Sequence, residues 1–197
     1  MTKSSARTLG LTGLAMFLTA GWARADLLFT MEELGPDVVV SASGVIDTSK
    51  LTPIGQWFAG VQATITPNDG QIILGVGFDL GDRYSLTTGA DVFGSGNTAV
   101  ASSSTGDAID LHGMEEFLGL PAGYVSGTQI TTTMTFDGQT FASLGVTPGT
   151  YDRILEDGQT VTLPIGAGAG VPEPSALALL AIGGLGLAMR LRRPAGE

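Results

Sequence analysis

The chain has 197 residues, 43% of them hydrophobic, with 19 acidic and nine basic residues and a formal net charge of −10. It contains no cysteine and one histidine, His112, which excludes disulfides, zinc–thiolate sites, iron–sulfur clusters and metal sites built from several histidines. The excess of acidic residues also argues against nucleic-acid binding, because such a surface repels a phosphate backbone.

The N-terminal residues 1–25 have the pattern of a secretory signal peptide. A positively charged start precedes an apolar block at residues 9–20, and an Ala-x-Ala cleavage site follows at Ala23 and Ala25. The block has 12 residues and is shorter than a membrane span, which disfavours the alternative of an uncleaved anchor. We therefore expect signal peptidase to cut after Ala25, so that the mature chain begins at Asp26.

The mature region, residues 26–166, is long enough for one domain with a sizeable core. Residues 26–171 contain three basic and 17 acidic residues, which gives a net charge of −14. Anionic lipid and nucleic acid both repel such a surface. We therefore expect only the C-terminal segment to hold this domain to a membrane.

Alternating apolar residues predict strands in the mature region. Residues 27–31 and 128–136 each place large apolar side chains on one face, and threonines occupy the other face of the second segment. The other expected strands are at residues 38–46, 57–66, 71–78, 151–155 and 160–165.

Three Asp-Gly-Gln sequences, which begin at Asp69, Asp137 and Asp157, mark turns, because glycine accepts the positive φ of a tight hairpin. Short strands separated by regular turns predict an all-β fold, an antiparallel β-sandwich of jelly-roll type. We expect one short helix, over residues 110–118. Residues 167–170, all glycine or alanine, predict a flexible linker after the domain.

The C-terminal segment, residues 171–193, contains two prolines, an apolar run at residues 176–189 and a final arginine cluster. The prolines prevent a helix from extending backwards, so we expect it to begin near Pro174 or Ser175. The 14-residue run gives about 21 Å of helix, a marginal span for a bilayer core of about 30 Å. Snorkelling arginines help it to span and keep its end cytoplasmic. A buried core helix is the disfavoured alternative, because the run has no polar face.

The order of Pro-Glu-Pro, a short apolar helix and terminal arginines resembles the PEP-CTERM sorting signal. That signal occurs in exported proteins of Gram-negative bacteria that make extracellular polysaccharide. The resemblance implies recognition by an exosortase, a membrane-embedded cysteine transpeptidase. It assigns the recognition motif to Pro172, Glu173 and Pro174 and the membrane stop to Arg190, Arg192 and Arg193.

The resemblance also implies a transient anchor in the inner membrane and a final location at the cell surface, the outer membrane or the extracellular matrix. Three blocks of the mature region, residues 37–44, 120–128 and 141–151, are similar to blocks in many PEP-CTERM proteins. Those proteins have no established catalytic residues to transfer to this chain. The strand after the last block, residues 152–156, lacks the aromatic residues that they often have there.

Few residues of the mature region suggest catalysis. A Ser-His-Asp site would need His112 beside a serine and a carboxylate, and the sequence has no Gly-x-Ser-x-Gly elbow. The pairs Asp107 with Asp110 and Glu115 with Glu116 are candidates for glycoside hydrolysis. Acids so close in sequence more often form a solvated edge.

Calcium binding and sugar binding are further hypotheses. The weak calcium candidates, which offer hard oxygen ligands, are Asp79, Asp82, Asp107 and Asp110. The aromatic residues that can stack on sugar rings are Trp57, Tyr84 and Tyr124. The more common role of such aromatics is to fill a core, and this is what we expect for Trp57-Phe58 and Tyr124.

The sequence therefore predicts an exported, non-enzymatic protein of the cell surface or matrix, associated with exopolysaccharide or biofilm and needing no cofactor. Its expected partners are signal peptidase, an exosortase, the membrane through the C-terminal helix, and extracellular polysaccharide. Two alternatives stay open, a carbohydrate-binding module at the same location and a hydrolase.

Overall fold

The computed structural model describes residues 26–58, 62–77 and 80–166. In this part of the chain almost all regular structure is β-strand, which confirms the all-β prediction. One short α-helix, α1 (Phe141–Leu144), and two single-turn 3-10 helices, Thr48–Lys50 and Pro67–Asp69, are also present. The strands are β1 (Asp26–Leu34), β2 (Asp37–Gly44), β3 (Pro53–Phe58), β4 (Thr64–Thr66), β5 (Gln71–Leu74), β6 (Leu80–Gly89), β7 (Ala99–Val100), β8 (Ser103–Gly106), β9 (Ile109–His112), β10 (Phe117–Gly119), β11 (Ile130–Phe136), β12 (Gly149–Leu155) and β13 (Thr160–Ile165).

The strands join into one curled sheet in the order β7-β4-β5-β9-β10-β6-β12-β13-β1-β2-β11-β8, with β3 paired to β6 outside this path. Strand β6 links the two halves of the sheet, because its first half pairs with β3 and β10 and its second half with β12. Buried residues from both halves meet in one apolar core. The curled sheet therefore encloses its core between two halves, as a sandwich does.

One strand pair departs from the predicted antiparallel arrangement. Strands β1 and β13 are parallel, with Leu27 opposite Val161 and Met31 opposite Ile165. A short hairpin forces its two strands to be antiparallel, but β1 and β13 lie at opposite ends of the domain sequence and no turn joins them. The sequence pattern of each strand is the same in either direction, so it did not reveal this pairing.

The predicted faces of the first and eleventh strands are confirmed. Strand β1 buries Leu27, Phe29 and Met31 completely. Strand β11 buries Ile130, Met134 and Phe136. Thr132 lies on the same buried face of β11, 2% exposed, and its hydroxyl donates a hydrogen bond to the carbonyl of Thr105 at 2.9 Å. That bond offsets the cost of burying the hydroxyl.

The three Asp-Gly-Gln sequences do not all form hairpins. The first connects β4 to β5 and the third connects β12 to β13. The second follows β11 and leads into α1. Thr140 caps this helix, since its hydroxyl accepts a hydrogen bond from the Ser143 amide and the Ser143 hydroxyl accepts one from the Thr140 amide. A capping box of this kind favours a helix start over a strand.

Two predicted elements are wrong. Residues 110–118 form the β9–β10 hairpin instead of a helix, because Ile109 and Leu111 enter the core with the two-residue period of a strand. The expected strand at residues 57–66 is divided between β3, which pairs with β6, and β4, which pairs with β5. Gly60 and Gln62 interrupt the apolar residues of this segment, and they were the signal for a break because glycine weakens the interior of a strand.

Candidate functional site

A buried polar cluster lies on the outer face of β5 and β9. Asp110 and His112 alternate with core residues of β9, yet they are only 3% and 7% exposed. The Gln71 amide nitrogen lies 3.2 and 3.3 Å from the two Asp110 carboxylate oxygens and 3.2 Å from His112 Nδ1. His112 Nε2 lies 3.1 Å from Asp69 Oδ2. The Phe117 ring packs against the imidazole at 5.1 Å between centroids.

The electrostatics of this cluster centre on Asp110. Burial raises the pKa of the Asp110 carboxyl to about 7, because a charged carboxylate loses its hydration there. The hydrogen bond from Gln71 and the charge of Arg83 oppose this rise, while the charges of Glu115 and Asp69 add to it. A carboxyl that titrates near neutrality is suited to proton transfer in principle.

The accessibility of the cluster does not support the hydrolase hypothesis. A substrate would have to reach Asp110 or His112, and both are covered. Both ring nitrogens of His112 already have partners, Gln71 and Asp69, so His112 makes no bond to a serine. Glu115 and Glu116 are exposed on the β9–β10 turn, and Glu115 lies 3.8 Å from Arg83.

The structure does not bring the calcium candidates together. Asp107 accepts a hydrogen bond from the Thr131 amide at 2.9 Å, Asp110 belongs to the polar cluster, and Asp82 is exposed on β6. Asp79 lies outside the described residues. Among residues 26–58, 62–77 and 80–166, no group of three acidic or histidine side chains is placed to hold a metal ion.

The aromatic residues do not form a sugar-stacking surface. Trp57 is 5% exposed, packs with Phe117 in a small second cluster, and donates from its indole nitrogen to the Leu120 carbonyl at 2.9 Å. Tyr84 is also buried. Tyr124 packs against the main core, and its hydroxyl bonds to the backbone of Ile46. The prediction that Phe58 fills the core is wrong, because it is 56% exposed.

A polar cleft of about 450 Å³ lies elsewhere, between residues 96–102 on one side and residues 136–145 on the other. Its polar lining residues are Asn97, Thr98, Ser102, Asp137, Gln139 and Ser143. In the sequence, Asp137 and Gln139 stand out only as part of a turn, and no motif marks Asn97. One sequence pattern could have revealed part of this site: the Thr140-x-x-Ser143 capping box predicts that the turn leads into a helix.

Both predicted processing segments lie outside the described residues. This applies to the signal cleavage site at Ala23 and Ala25, to the linker at residues 167–170, and to the proline motif, apolar helix and arginine cluster of residues 171–193. Within the described part of the chain, no helix has the length and apolar character needed to cross a membrane. The last described residue, Gly166, donates its amide hydrogen to the Met31 carbonyl at 3.0 Å.

Comparison with known proteins identifies the C-terminal segment. No curated protein and no solved structure matches the chain. A family model described as the PEP-CTERM protein-sorting motif matches residues 170–193, one residue longer than the segment predicted from the sequence. The motif implies export, recognition by an exosortase and sorting to the cell envelope or surface. The chain therefore carries a PEP-CTERM protein-sorting motif at its C-terminal end.

Proposed function

We propose that this chain is a non-enzymatic protein of the cell surface or extracellular matrix, released from the inner membrane by exosortase and associated with extracellular polysaccharide. The observation that carries this proposal is the sorting motif at residues 170–193. Asp110 and His112 are the best candidates for acid–base chemistry, and both are buried away from any substrate. Their burial supports a non-enzymatic role.

The local chemistry of the tail suits an enzyme that handles an extended chain. Pro172 and Pro174 push the residues before them out of helical geometry. Glu173 between them stays hydrated at the membrane surface and can pair with a basic group of the exosortase. The domain holds the chain as far as Gly166, so residues 167–171 separate the domain from the Pro-Glu-Pro residues at positions 172–174.

The charge of the domain suits release into an aqueous matrix. Residues 26–171 carry a net charge of −14, which anionic lipid repels. The chain has no cysteine, so the domain relies on its continuous apolar core and not on disulfides for stability. Once the tail is removed, repulsion by anionic lipid favours release of the domain from the inner membrane.

Substitution of the motif tests the sorting step. In a host with an exosortase, a chain with Pro172, Glu173 and Pro174 all replaced by alanine should be exported but remain in the inner membrane with its tail. Intact mass and membrane fractionation measure both properties, and Ser175→Ala is the matched control.

Replacement of Arg190, Arg192 and Arg193 should instead impair retention or orientation before processing. Shortening and release of the triple-alanine chain at the wild-type rate would refute the proposal.

Fractionation of the mature protein tests its association with polysaccharide. In a polysaccharide-producing host, the shortened protein should sediment with the washed matrix. In an otherwise identical host that makes no polysaccharide, it should appear in the culture medium. A protein recovered in the medium from both hosts would contradict this part of the proposal, while leaving the sorting step intact.

A further inference from the structure

We infer that the cleft between residues 96–102 and residues 136–145 binds uncharged sugar units of a polysaccharide. This inference rests on the proposed association with polysaccharide and assigns that association to a site. The site is distinct from the aromatic residues and the acidic residues that the sequence suggested.

Two hydrogen-bonded contacts define the ends of the cleft. At one end the amides of Ser95 and Gly96 donate to the Gly145 carbonyl at 2.9 and 3.1 Å. At the other end the Ser102 amide donates to the Thr135 carbonyl at 2.8 Å, and the Ser102 hydroxyl accepts from the Asp137 amide at 3.0 Å. The two chain segments are apart only between these contacts, and the cleft of about 450 Å³ occupies that space.

The first contact depends on close backbone approach. A side chain at Gly96 would overlap the Leu144 carbonyl, and one at Gly145, where φ is +65°, would meet the Gly96 backbone at 2.5 Å. Glycine at both positions therefore allows the segments to touch. A cleft closed at both ends by backbone contacts is largely formed before a ligand arrives, which lowers the entropic cost of binding.

The second Asp-Gly-Gln sequence differs from the other two in how its side chains are used. The third uses both side chains internally, since Gln159 bonds to Asp157 and to the backbone of Asp47. The first uses Gln71 and Asp69 in the polar cluster. Within the described residues, the Asp137 carboxylate accepts no hydrogen bond.

Two amide side chains also have unused donors in the cleft. Gln139 Oε1 accepts a hydrogen bond from the Ser143 hydroxyl at 2.7 Å, and its Nε2 has no partner among the described residues. Asn97 Oδ1 accepts from Asn68 at 3.3 Å, and Nδ2 of Asn97 is similarly unpaired there. The cleft thus offers a carboxylate acceptor and two amide donors, which complements the paired donors and acceptors of sugar hydroxyls.

The lining of the cleft selects against other classes of ligand. Among the described residues that line the cleft, Asp137 is the only charged one, so an anionic ligand is repelled. One carboxylate is too few for a calcium site of six to eight oxygens. A peptide added to the free edge of β7 would find a strand of only two residues. The volume lies within the usual range of about 300–1,000 Å³ for ligand sites and accommodates a few sugar rings.

Binding of defined oligosaccharides to the full-length chain in detergent tests this inference. The probes are three neutral hexasaccharides, cellohexaose, maltohexaose and laminarihexaose, together with hexagalacturonate as the charged counterpart. We expect at least one neutral probe to bind and hexagalacturonate to bind at least ten-fold more weakly. Asp137→Asn should weaken neutral binding about ten-fold and Gln139→Ala several-fold, as expected for hydrogen bonds to a charged and a neutral group.

Control variants distinguish an effect on the cleft from a general effect on folding or on polysaccharide association. Asp152→Asn and Gln56→Ala change exposed residues of β12 and β3 and should leave binding unchanged, and thermal unfolding should confirm that all variants are folded. The cleft assignment is overturned if no neutral probe binds, if binding is unaffected by Asp137→Asn, or if a peptide competes for the cleft better than the sugars. If a cleft variant still sediments with the polysaccharide matrix, the assignment of sugar binding to the cleft is wrong but the proposed association with polysaccharide stands. If the wild-type protein itself does not sediment with the matrix, the proposed association is wrong.

Discussion

At the residue scale, the most unusual group of the domain is Asp110, a carboxyl buried on the outer face of the sheet. It contacts Gln71 and lies near one positive side chain, Arg83, and two negative ones, Glu115 and Asp69. The balance favours the protonated form, and the pKa rises to about 7. From the sequence, Asp110 was a candidate calcium ligand or hydrolase acid. Its burial could not be predicted, because the residue pattern of a strand does not show when its outer face is covered.

This raised pKa predicts the pH dependence of stability. Between the unfolded value of 3.8 and the folded value of about 7, the folded chain holds a proton that the unfolded chain loses. The free energy of unfolding should therefore fall as the pH rises through this window, by at most about 1.4 kcal/mol per pH unit, and level off above it. Asp110→Asn should flatten this slope, because the amide keeps an acceptor for Gln71 and does not titrate.

Urea unfolding of residues 26–166 between pH 4 and pH 8 measures this effect. Asp152→Asn, at an exposed position of β12, is the control and should keep the wild-type slope. Asp47 does not interfere, because hydrogen bonds from Ser49 and Ser126 lower its pKa to about 2 and place its contribution below the window. An Asp110→Asn variant with the wild-type slope would show that another group titrates there.

At the scale of single elements, the β12–β13 turn is joined to the loop after β2 by one side chain. Gln159 is 6% exposed, and its Oε1 accepts from the Asp47 amide at 2.7 Å while its Nε2 donates to the Asp47 carbonyl at 2.8 Å. Nε2 also lies 2.6 Å from Asp157 Oδ2. The Asp47 carboxylate in turn accepts from the Ser126 hydroxyl at 2.8 Å, so three loops meet at this end of the domain.

Truncation of this side chain should therefore loosen the loops as well as destabilise the domain. We expect Gln159→Ala to lower the free energy of unfolding by about 1–3 kcal/mol, because two backbone groups lose their partner. Hydrogen exchange should also accelerate in residues 45–51. Gln56→Ala, an exposed glutamine on β3, should change stability by less than about 0.5 kcal/mol. Equal effects of the two substitutions would show that Gln159 does not hold the loops together.

The elements also show which parts of the fold could be predicted from the sequence. Alternation identified β1 and β11, because a half-buried strand must repeat every two residues, and the third Asp-Gly-Gln turn identified β12 and β13. The β9–β10 hairpin was mistaken for a helix, since Met114, Glu115 and Glu116 favour helices but occupy a turn, where Glu116 has a φ of 53°. The cleft could not be predicted at all, because its two sides are about 40 residues apart in sequence and meet only through tertiary contacts.

At the scale of the whole molecule, the direction in which the chain leaves the domain matters for sorting. Gly166 directly follows β13 and bonds to Met31 of β1, and Glu33 of β1 accepts a hydrogen bond from the Phe141 amide at the start of α1. The tail therefore leaves from the end of the domain that carries α1 and the nearby cleft.

Under the proposed function, the number of residues between the domain and the Pro-Glu-Pro motif sets a limit on access by the exosortase. Residues 167–171 span at most about 17 Å when fully extended, and the acidic domain is repelled by anionic lipid. Deletion of residues 167–170 would place the motif directly against the folded end of β13. We expect such a chain to be exported normally but to be shortened several-fold more slowly, since the enzyme must then approach against the domain surface.

A pulse-chase measurement of tail removal tests this expectation in a host with an exosortase. Replacement of residues 167–170 by Ser-Gly-Ser-Gly keeps the length and should give the wild-type rate, which separates length from composition. Triple alanine substitution of the motif should block shortening even with the linker intact, because it removes recognition and leaves access unchanged. Processing of the deletion variant at the wild-type rate would mean that the exosortase does not need clearance from the domain, so that recognition depends on the membrane-proximal motif alone.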